Sequence, residues 1–513
     1  MYKNARTIRA TGSYKRNHTG RFCLVCVFVF LFLYGCGGGY EPSADNVRGG
    51  EDATAVTPES ALQSEARTEQ AGSSDDIYLA DSAIGITDNE NLCAGFVDDN
   101  KRYKVPRVEK PPFLEYYRDP TFGAKVIRIS DGVEGEVNKP AYSTMQAWNA
   151  DESLLMLYRT GVKGGGHYLH DGFSYERIRQ LDIDPSDLED VFWSYKDPSS
   201  FYYISRSGDK SGHFLRNNAL TGDEETIVDL GTVCGKNGKP IAGYDVQMHS
   251  HDDDVFGFRC KNESDESRSL AFTYRISDGH VDHLKTGDGT GYDGRIAPLV
   301  GPSGKRFLLP PEQLSQDLSE TVFTIDLAKN EHSSIGMNSR GQDAFYITTF
   351  SPSPRGCDDE MWRGVAALVE FNLEENTCRT ILNQRDGWPP TLSGTHVSAT
   401  SYKRPGWVAM SSIGYKDLHY LHMDAMEEKN APAFFSEIFL VNTDPEEPAV
   451  CRLAQHRSSG KSARNGGYAP YFGEPHATIS PSATRIIFGS DWYDSGTVDA
   501  FVIELPAYQP PDI

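Results

Sequence analysis

The chain is punctuated by one recurring unit, a short apolar strand, a tight polar turn and a second apolar strand. Trp148-Asn-Ala-Asp-Glu-Ser-Leu-Leu-Met-Leu, Val300-Gly-Pro-Ser-Gly-Lys-Arg-Phe-Leu-Leu and Ile479-Ser-Pro-Ser-Ala-Thr-Arg-Ile-Ile-Phe carry it most clearly. Third and fourth strands follow, joined by turns such as Asp171-Gly172, Ser277-Asp278-Gly279 and Asn372-Leu-Glu-Glu-Asn. About seven units begin near Ala141, Asp187, Tyr244, Tyr292, Gln342, Ser393 and Glu474. A four-stranded sheet cannot cover its own two faces, but sheets set radially around an axis cover one another. The pattern predicts an all-β, seven-bladed β-propeller spanning residues 96–513, with a large sandwich or β-helix as the competing architecture. Long 3.6-residue periodicity is nearly absent, and Pro185-Ser-Asp-Leu-Glu-Asp amounts to a helical turn or two. The last unit supplies three strands, ending at Phe501-Val-Ile-Glu-Leu. Ala124-Lys-Val-Ile-Arg-Ile-Ser, upstream of the first full unit, is expected to add the missing outer strand and close the ring.

The first 35 residues read differently. Lys3, Arg6, Arg9, Lys15, Arg16 and Arg21 precede an apolar run from Phe22 to Tyr34, too short for a comfortable membrane span. Leu33-Tyr34-Gly35-Cys36 resembles the lipobox of bacterial lipoproteins, so residues 1–35 are expected to be a signal peptide and Cys36 the lipidation site. Residues 36–95, rich in Gly, Ser, Ala, Thr and acidic side chains, read as a flexible linker. The expected protein is an exported lipoprotein of a bacterial cell envelope, tied to a membrane through its N-terminal lipid.

Charge and composition narrow the function. Hydrophobic residues make up 38% and aromatic residues 11%, which excludes wholesale disorder and a polytopic membrane protein. The formal charge of −23 argues against nucleic acid as a partner, and any anionic ligand needs a local basic pocket. A monomer is expected. Beyond the signal, Cys93, Cys234, Cys260, Cys357, Cys378 and Cys451 remain, an even number suited to an oxidising compartment. Cys357 with Cys378 and Cys93 with Cys451 are the favoured pairs among fifteen possible connectivities.

Propeller topology places the approach to each innermost strand and the loop between second and third strands on one face. His396, His476 and Tyr244 fall at such approaches, and His167 falls at a second-to-third loop behind three glycines. Arg159, Arg206, Arg259 and Trp492 end second strands and are expected at the same rim. Planar guanidiniums and aromatic faces suit anionic sugars. β-Elimination from a uronate needs a charge to offset the carboxylate, a base for the C5 proton and an acid for the departing oxygen. Each residue also has an ordinary alternative: core histidines at 396 and 476, a surface ion pair for Arg259, blade packing for Trp492, and strand-end backbone partners for Gln146. His249 and His251 point the same way on a strand and, with Cys260 or Cys234, make a candidate structural zinc or calcium site. No cofactor is expected for catalysis itself. A zinc hydrolase is disfavoured, since no His-Glu-x-x-His helix is present. A glycoside hydrolase would need two carboxylates at a fixed separation, and the acidic sequence singles out none.

Gln146-Ala-Trp-Asn-Ala-Asp, Gly164-Gly-Gly-His-Tyr-Leu-His-Asp-Gly, Asp187-Leu-Glu-Asp-Val-Phe-Trp and Glu474-Pro-His-Ala-Thr-Ile-Ser-Pro-Ser resemble the propeller polysaccharide lyases. The likeness is to the seven-bladed ulvan lyases and, more distantly, the propeller oligogalacturonate lyases, over most of the chain after about Asp119. It implies cleavage of an anionic, uronate-containing, sulfated algal polysaccharide by β-elimination. It also implies proton transfer by His167, shared with Tyr244, and charge neutralisation by Arg259. Gln146, Arg159, Arg206, His396, His476 and Trp492 would bind substrate. Such lyases often carry a second histidine where this chain has Gln146, a departure that weakens a two-histidine mechanism. The rival class is a non-catalytic propeller that binds glycan or scaffolds an envelope complex.

Overall fold

The computed structural model describes residues 91–161, 165–236, 238–243, 247–262, 270–285, 296–325, 330–349, 367–382, 387–388, 395–412, 430–459 and 470–511. The expected signal, Cys36, Tyr244 and Cys357 lie outside them. Among the described residues no helix is long and apolar enough to cross a membrane.

Seven antiparallel sheets succeed one another along the chain. The first comprises Val137–Lys139, Leu154–Thr160, Gly166–Asp171 and Arg177–Gln180; the second Val191–Trp193, Ser200–Ile204, His213–Asn218 and Glu224–Asp229. The third runs Gly238–Ile241, Val255–Asn262, Leu270–Arg275 and Val281–Lys285, and the fourth Leu299–Val300, Phe307–Leu309, Glu312–Leu314 and Thr321–Thr324. Asn330–Met337, Asp343–Thr349, Ala367–Asn372 and Thr377–Leu382 form the fifth; His396–Ser398, Trp407–Ser411, Glu437–Asn442 and Ala449–Gln455 form the sixth. The seventh joins Thr478–Ile479, Arg485–Ser490 and Asp499–Glu504 to Lys125–Arg128 and Tyr116–Arg118. This is a seven-bladed propeller closed by mixing the two ends of the chain. Lys125–Arg128 pairs with Glu504–Phe501, the closure expected from Ala124–Ser130. One expected boundary is displaced: the fifth blade's innermost strand starts at Asn330, and the strand at Asp343 is its second. The charged Asn-Glu-His start of that innermost strand hides it from an apolar pattern.

Polarity varies radially. Second strands such as Ser200–Ile204 are buried along their whole length, because the neighbouring blades cover both faces. The outermost strand of the first blade, Arg177–Gln180, is mostly exposed. Gly172 allows the first blade's third-to-fourth turn to press on its neighbour, since a Cβ there would lie 2.1 Å from the Glu152 carbonyl oxygen. Fully buried Glu152 and Arg485 meet at 2.8 Å, tying the first blade to the seventh.

Residues 91–110 form a strap over the sixth and seventh blades. Cys93 is bonded to Cys451 on the outermost strand of the sixth blade. Arg452 Nη1 donates to the Lys101 carbonyl at 2.7 Å, Tyr103–Lys104 pairs with Ala431–Asn430, and Arg457 Nη1 donates to the Pro106 carbonyl at 2.6 Å. The Trp492 indole closes the strap by donating to the Val108 carbonyl at 3.0 Å. The expected Cys93–Cys451 pair is therefore present. A second bond joins Cys234 to Cys260, and Cys378 is also disulfide-bonded.

Candidate functional site

The innermost strands of the first two blades are interrupted, and the interruptions carry polar groups toward the channel. In the first blade Lys139 pairs with Tyr158 and Trp148 bridges Leu155, so residues 140–147 of the inner segment face only Met156 and Leu157 of its partner. That bulge brings Tyr142 and Gln146 to the axis. In the second blade Pro185 bridges Ser205 while Val191 pairs with Tyr203, and the excess carries Asp187, Leu188, Glu189 and Asp190. Bulges that re-aim side chains beside a site are a recurrent device of sheets.

His332 of the fifth blade, His396 of the sixth, and Glu474 and His476 of the seventh converge beside them. Glu474 Oε2 lies 3.1 Å from His476 Nε2 and 3.4 Å from His396 Nε2. One ligand atom from each of His396, Glu474 and His476 falls within 4.8 Å of the others. His332 and His396 have ring centroids 4.1 Å apart, and Tyr142 sets its ring edge-on to both His396 and His476. His476 adopts φ 41, a left-handed backbone that costs a β-carbon-bearing residue roughly 1–3 kcal/mol. The Gly489 amide on the Pro475 carbonyl (2.8 Å) and Lys139 on the Glu474 carbonyl (2.8 Å) hold this conformation.

The donor set fits a divalent cation. Both ring nitrogens of His396 are buried without a hydrogen-bond partner, as is Nδ1 of His332. Buried polar atoms of this kind are uncommon and mark a missing partner. Burial, then the neighbouring His332 and Lys139, hold His396 well below the usual histidine range. Burial, Lys139 and His396 do the same to His476. Neutral imidazole is the ligating form, and two imidazoles with one carboxylate suit manganese, iron or zinc.

Groups able to move protons stand next to this cluster. Tyr471, half-buried, donates to both oxygens of Glu189 at 2.7 Å, and its ring centroid lies 4.5 Å from that of His476. Burial and the Glu189 carboxylate push its hydroxyl well above the ordinary tyrosine range, so it stays protonated. Burial lowers His332 to about 4. Lys139 is wholly buried with Nζ 2.8 Å from His476 Nδ1, and desolvation brings it down to about 8 against the pull of Glu189 and Glu474.

The residues expected from the sequence are distributed unevenly. His396 and His476 join the cluster, but both are fully buried, so they face its interior. His167 is buried with Nε2 2.7 Å from the Leu188 carbonyl. It belongs to the cross-strand row Lys139–Tyr158–His167, whose inner member is the one that reaches the cluster. Gln146 donates to the Thr400 and Ile479 carbonyls and accepts from the Trp148 amide, the strand-end role. Arg159 pairs with Glu136, Arg206 with Asp184, and Arg259 is buried at 1% exposure within its strand. Arg159 and Arg206 are thus engaged by carboxylates of their own blades. Trp492 is buried, stacked on Phe501 at 4.8 Å, and packs under the strap. His249 pairs with Asp253 at 3.2 Å, and His249 and His251 both pack on Tyr195. Cys260 cannot serve as a thiolate ligand beside them, because its sulfur is bonded to Cys234. His332, Tyr142, Tyr471, Glu474, Glu189 and Lys139 are the members that sequence reasoning missed. Glu474 could have been found from its Glu-Pro-His context, two residues before a histidine already singled out.

No family model matches the chain, and no curated protein does. Solved structures do. An oligogalacturonate lyase in complex with manganese superposes with a TM-score of 0.54 at 15% identity, covering 80% of this chain and 99% of that one. An oligogalacturonate lyase from Vibrio parahaemolyticus gives 0.53 at 13% identity, covering 76% and 96%. At such identity the likeness establishes the shared seven-bladed fold.

Proposed function

We propose that this protein is a lyase that cleaves a uronate-containing polysaccharide by β-elimination, using the cluster of His396, Glu474 and His476 as a divalent cation site. The observation that carries this reading is the buried His–Glu–His constellation with unpartnered imidazole nitrogens at the channel end where the inner strands begin. Its setting in a fold shared with a manganese-bound oligogalacturonate lyase supports it. A cation held there supplies the positive charge that offsets a uronate carboxylate and makes the C5 proton removable. His332, a neutral imidazole at the edge of the cluster, is positioned to accept that proton. Tyr471, kept protonated against Glu189, is positioned to protonate the departing oxygen. Tyr142 packs edge-on against His396 and His476 and fixes their rings. The finer assignment, a sulfated ulvan-like polymer, follows from the sequence resemblance. An exported location is supported by the disulfides, which belong to oxidising compartments, and the lipid anchor rests on Leu33-Tyr34-Gly35-Cys36 alone.

The test is ultraviolet absorbance of the protein with ulvan, polygalacturonate, alginate and a glycosaminoglycan, with Mn²⁺ added or chelated. The expected result is rising absorbance on one polymer, lost with chelator and reduced at least a hundredfold in His396→Ala and Tyr471→Phe. Flat traces on all four with retained polymer binding would replace the lyase with a glycan-binding propeller.

A further inference from the structure

Lys139 is the buried charge that the reading above leaves without a task. It is 0% exposed, and among the described residues its Nζ bonds to the cation site's own scaffold, His476 Nδ1 and the Glu474 carbonyl, each at 2.8 Å, with the Tyr471 ring 5.6 Å away. A histidine that ligates a metal ordinarily gives its second nitrogen to an acceptor, a carboxylate or carbonyl, which raises its basicity toward the metal. Here the second nitrogen of His476 meets a donor that carries positive charge. Shielding by solvent is absent at this depth, so the ammonium and an incoming cation repel one another across the width of one imidazole ring.

We propose that Lys139 is a built-in competitor for the cation. It orients Glu474 and His476 when the cluster is empty of metal, and it lowers the cluster's affinity for divalent ions. The inference rests on the reading of His396, Glu474 and His476 as a cation site. Two unlike consequences follow from the same geometry. Lys139 helps hold the backbone around the left-handed His476 in place, so removing it should cost stability. Removing it should also tighten cation binding, which simple structural damage would not do. The occupancy of the site would then track the free-cation concentration around the protein instead of being locked at saturation.

The experiment is calorimetric titration of Mn²⁺ into the full chain as wild type, Lys139→Met and Lys139→Gln, each also in a His396→Ala background, with thermal unfolding of every variant. The expected result is affinity at least tenfold tighter in both neutral variants, abolished by His396→Ala, with a lowered unfolding temperature. Either variant alone suffices if the other does not fold. Equal or weaker affinity in a folded neutral variant would overturn the competitor role while leaving the cation site standing. Absence of His396-dependent binding in every form, wild type and neutral variants alike, would overturn both.

Discussion

Glu152→Ala should open the molecule at the contact between its first and last blades. Glu152 and Arg485 are both fully buried, and Arg485 Nη2 lies 2.8 Å from Glu152 Oε2. The other carboxylate oxygen accepts the Ser482 amide at 2.6 Å, and the guanidinium sits 4.4 Å over the Tyr508 ring and 4.9 Å over Trp148. Alanine removes the anion and leaves the guanidinium buried among aromatic rings and carbonyls. An uncompensated buried charge of this kind costs about 3–5 kcal/mol, which multiplies the unfolded population by roughly two to three and a half powers of ten. Urea unfolding followed by tryptophan fluorescence measures it. The double variant Glu152→Leu with Arg485→Met removes both charges and should recover most of the loss, since apolar replacement of a buried pair is often neutral. A loss below about 1 kcal/mol in the single variant, or a double variant worse than the sum of the singles, would refute the argument.

Two further outcomes are expected. His456 is fully buried, accepts the Ser458 amide on Nδ1 and lies 2.9 Å from the Ser412 carbonyl on Nε2; burial lowers it to about 4. The unfolded chain therefore binds a proton between about pH 6.5 and 4 that the folded one refuses, so stability is complete above 6.5 and falls on acidification by about 3 kcal/mol from this residue alone. Urea midpoints from pH 7.5 to 4.5 should show the fall, shallower in His456→Gln; a flat profile would contradict it. Cys93→Ser removes a bond closing 358 residues of sequence separation and should cost about 3–5 kcal/mol, read as a drop in unfolding temperature relative to the oxidised wild type.

The ring and its closure were readable because each second strand is an apolar run bounded by turn residues, and because the last unit lacks an outer strand that Ala124–Ser130, ahead of the first full unit, can supply. The site was readable only in part. His396 and His476 stand immediately before or at the start of an inner strand, a position that topology alone aims at the axis. Lys139 looks like any strand-end lysine until the register shows it directed inward opposite Tyr158. Glu189 reaches Tyr471 through a bulge, and a bulge leaves no periodic mark in sequence. The arginines misled for a related reason. Strand ends place them at the rim, but Glu136 and Asp184, set by pairings invisible in a single sequence, claim two of them first.

The strap also decides how this ring would carry tension. A pull on the residues before Asn91 meets the Cys93–Cys451 bond before any hydrogen-bonded contact further along the strap. The load then passes into the outermost strand of the sixth blade and is shared by Arg452 and its partner Glu437, both fully buried. The closing strand Lys125–Arg128, some thirty residues downstream, stays slack. A load entering ahead of Asn91 would thus reach the sixth blade without unzipping the seam. With the bond reduced, the same force would peel the strap contact by contact toward the seventh blade, and the seam would become the next joint to bear it.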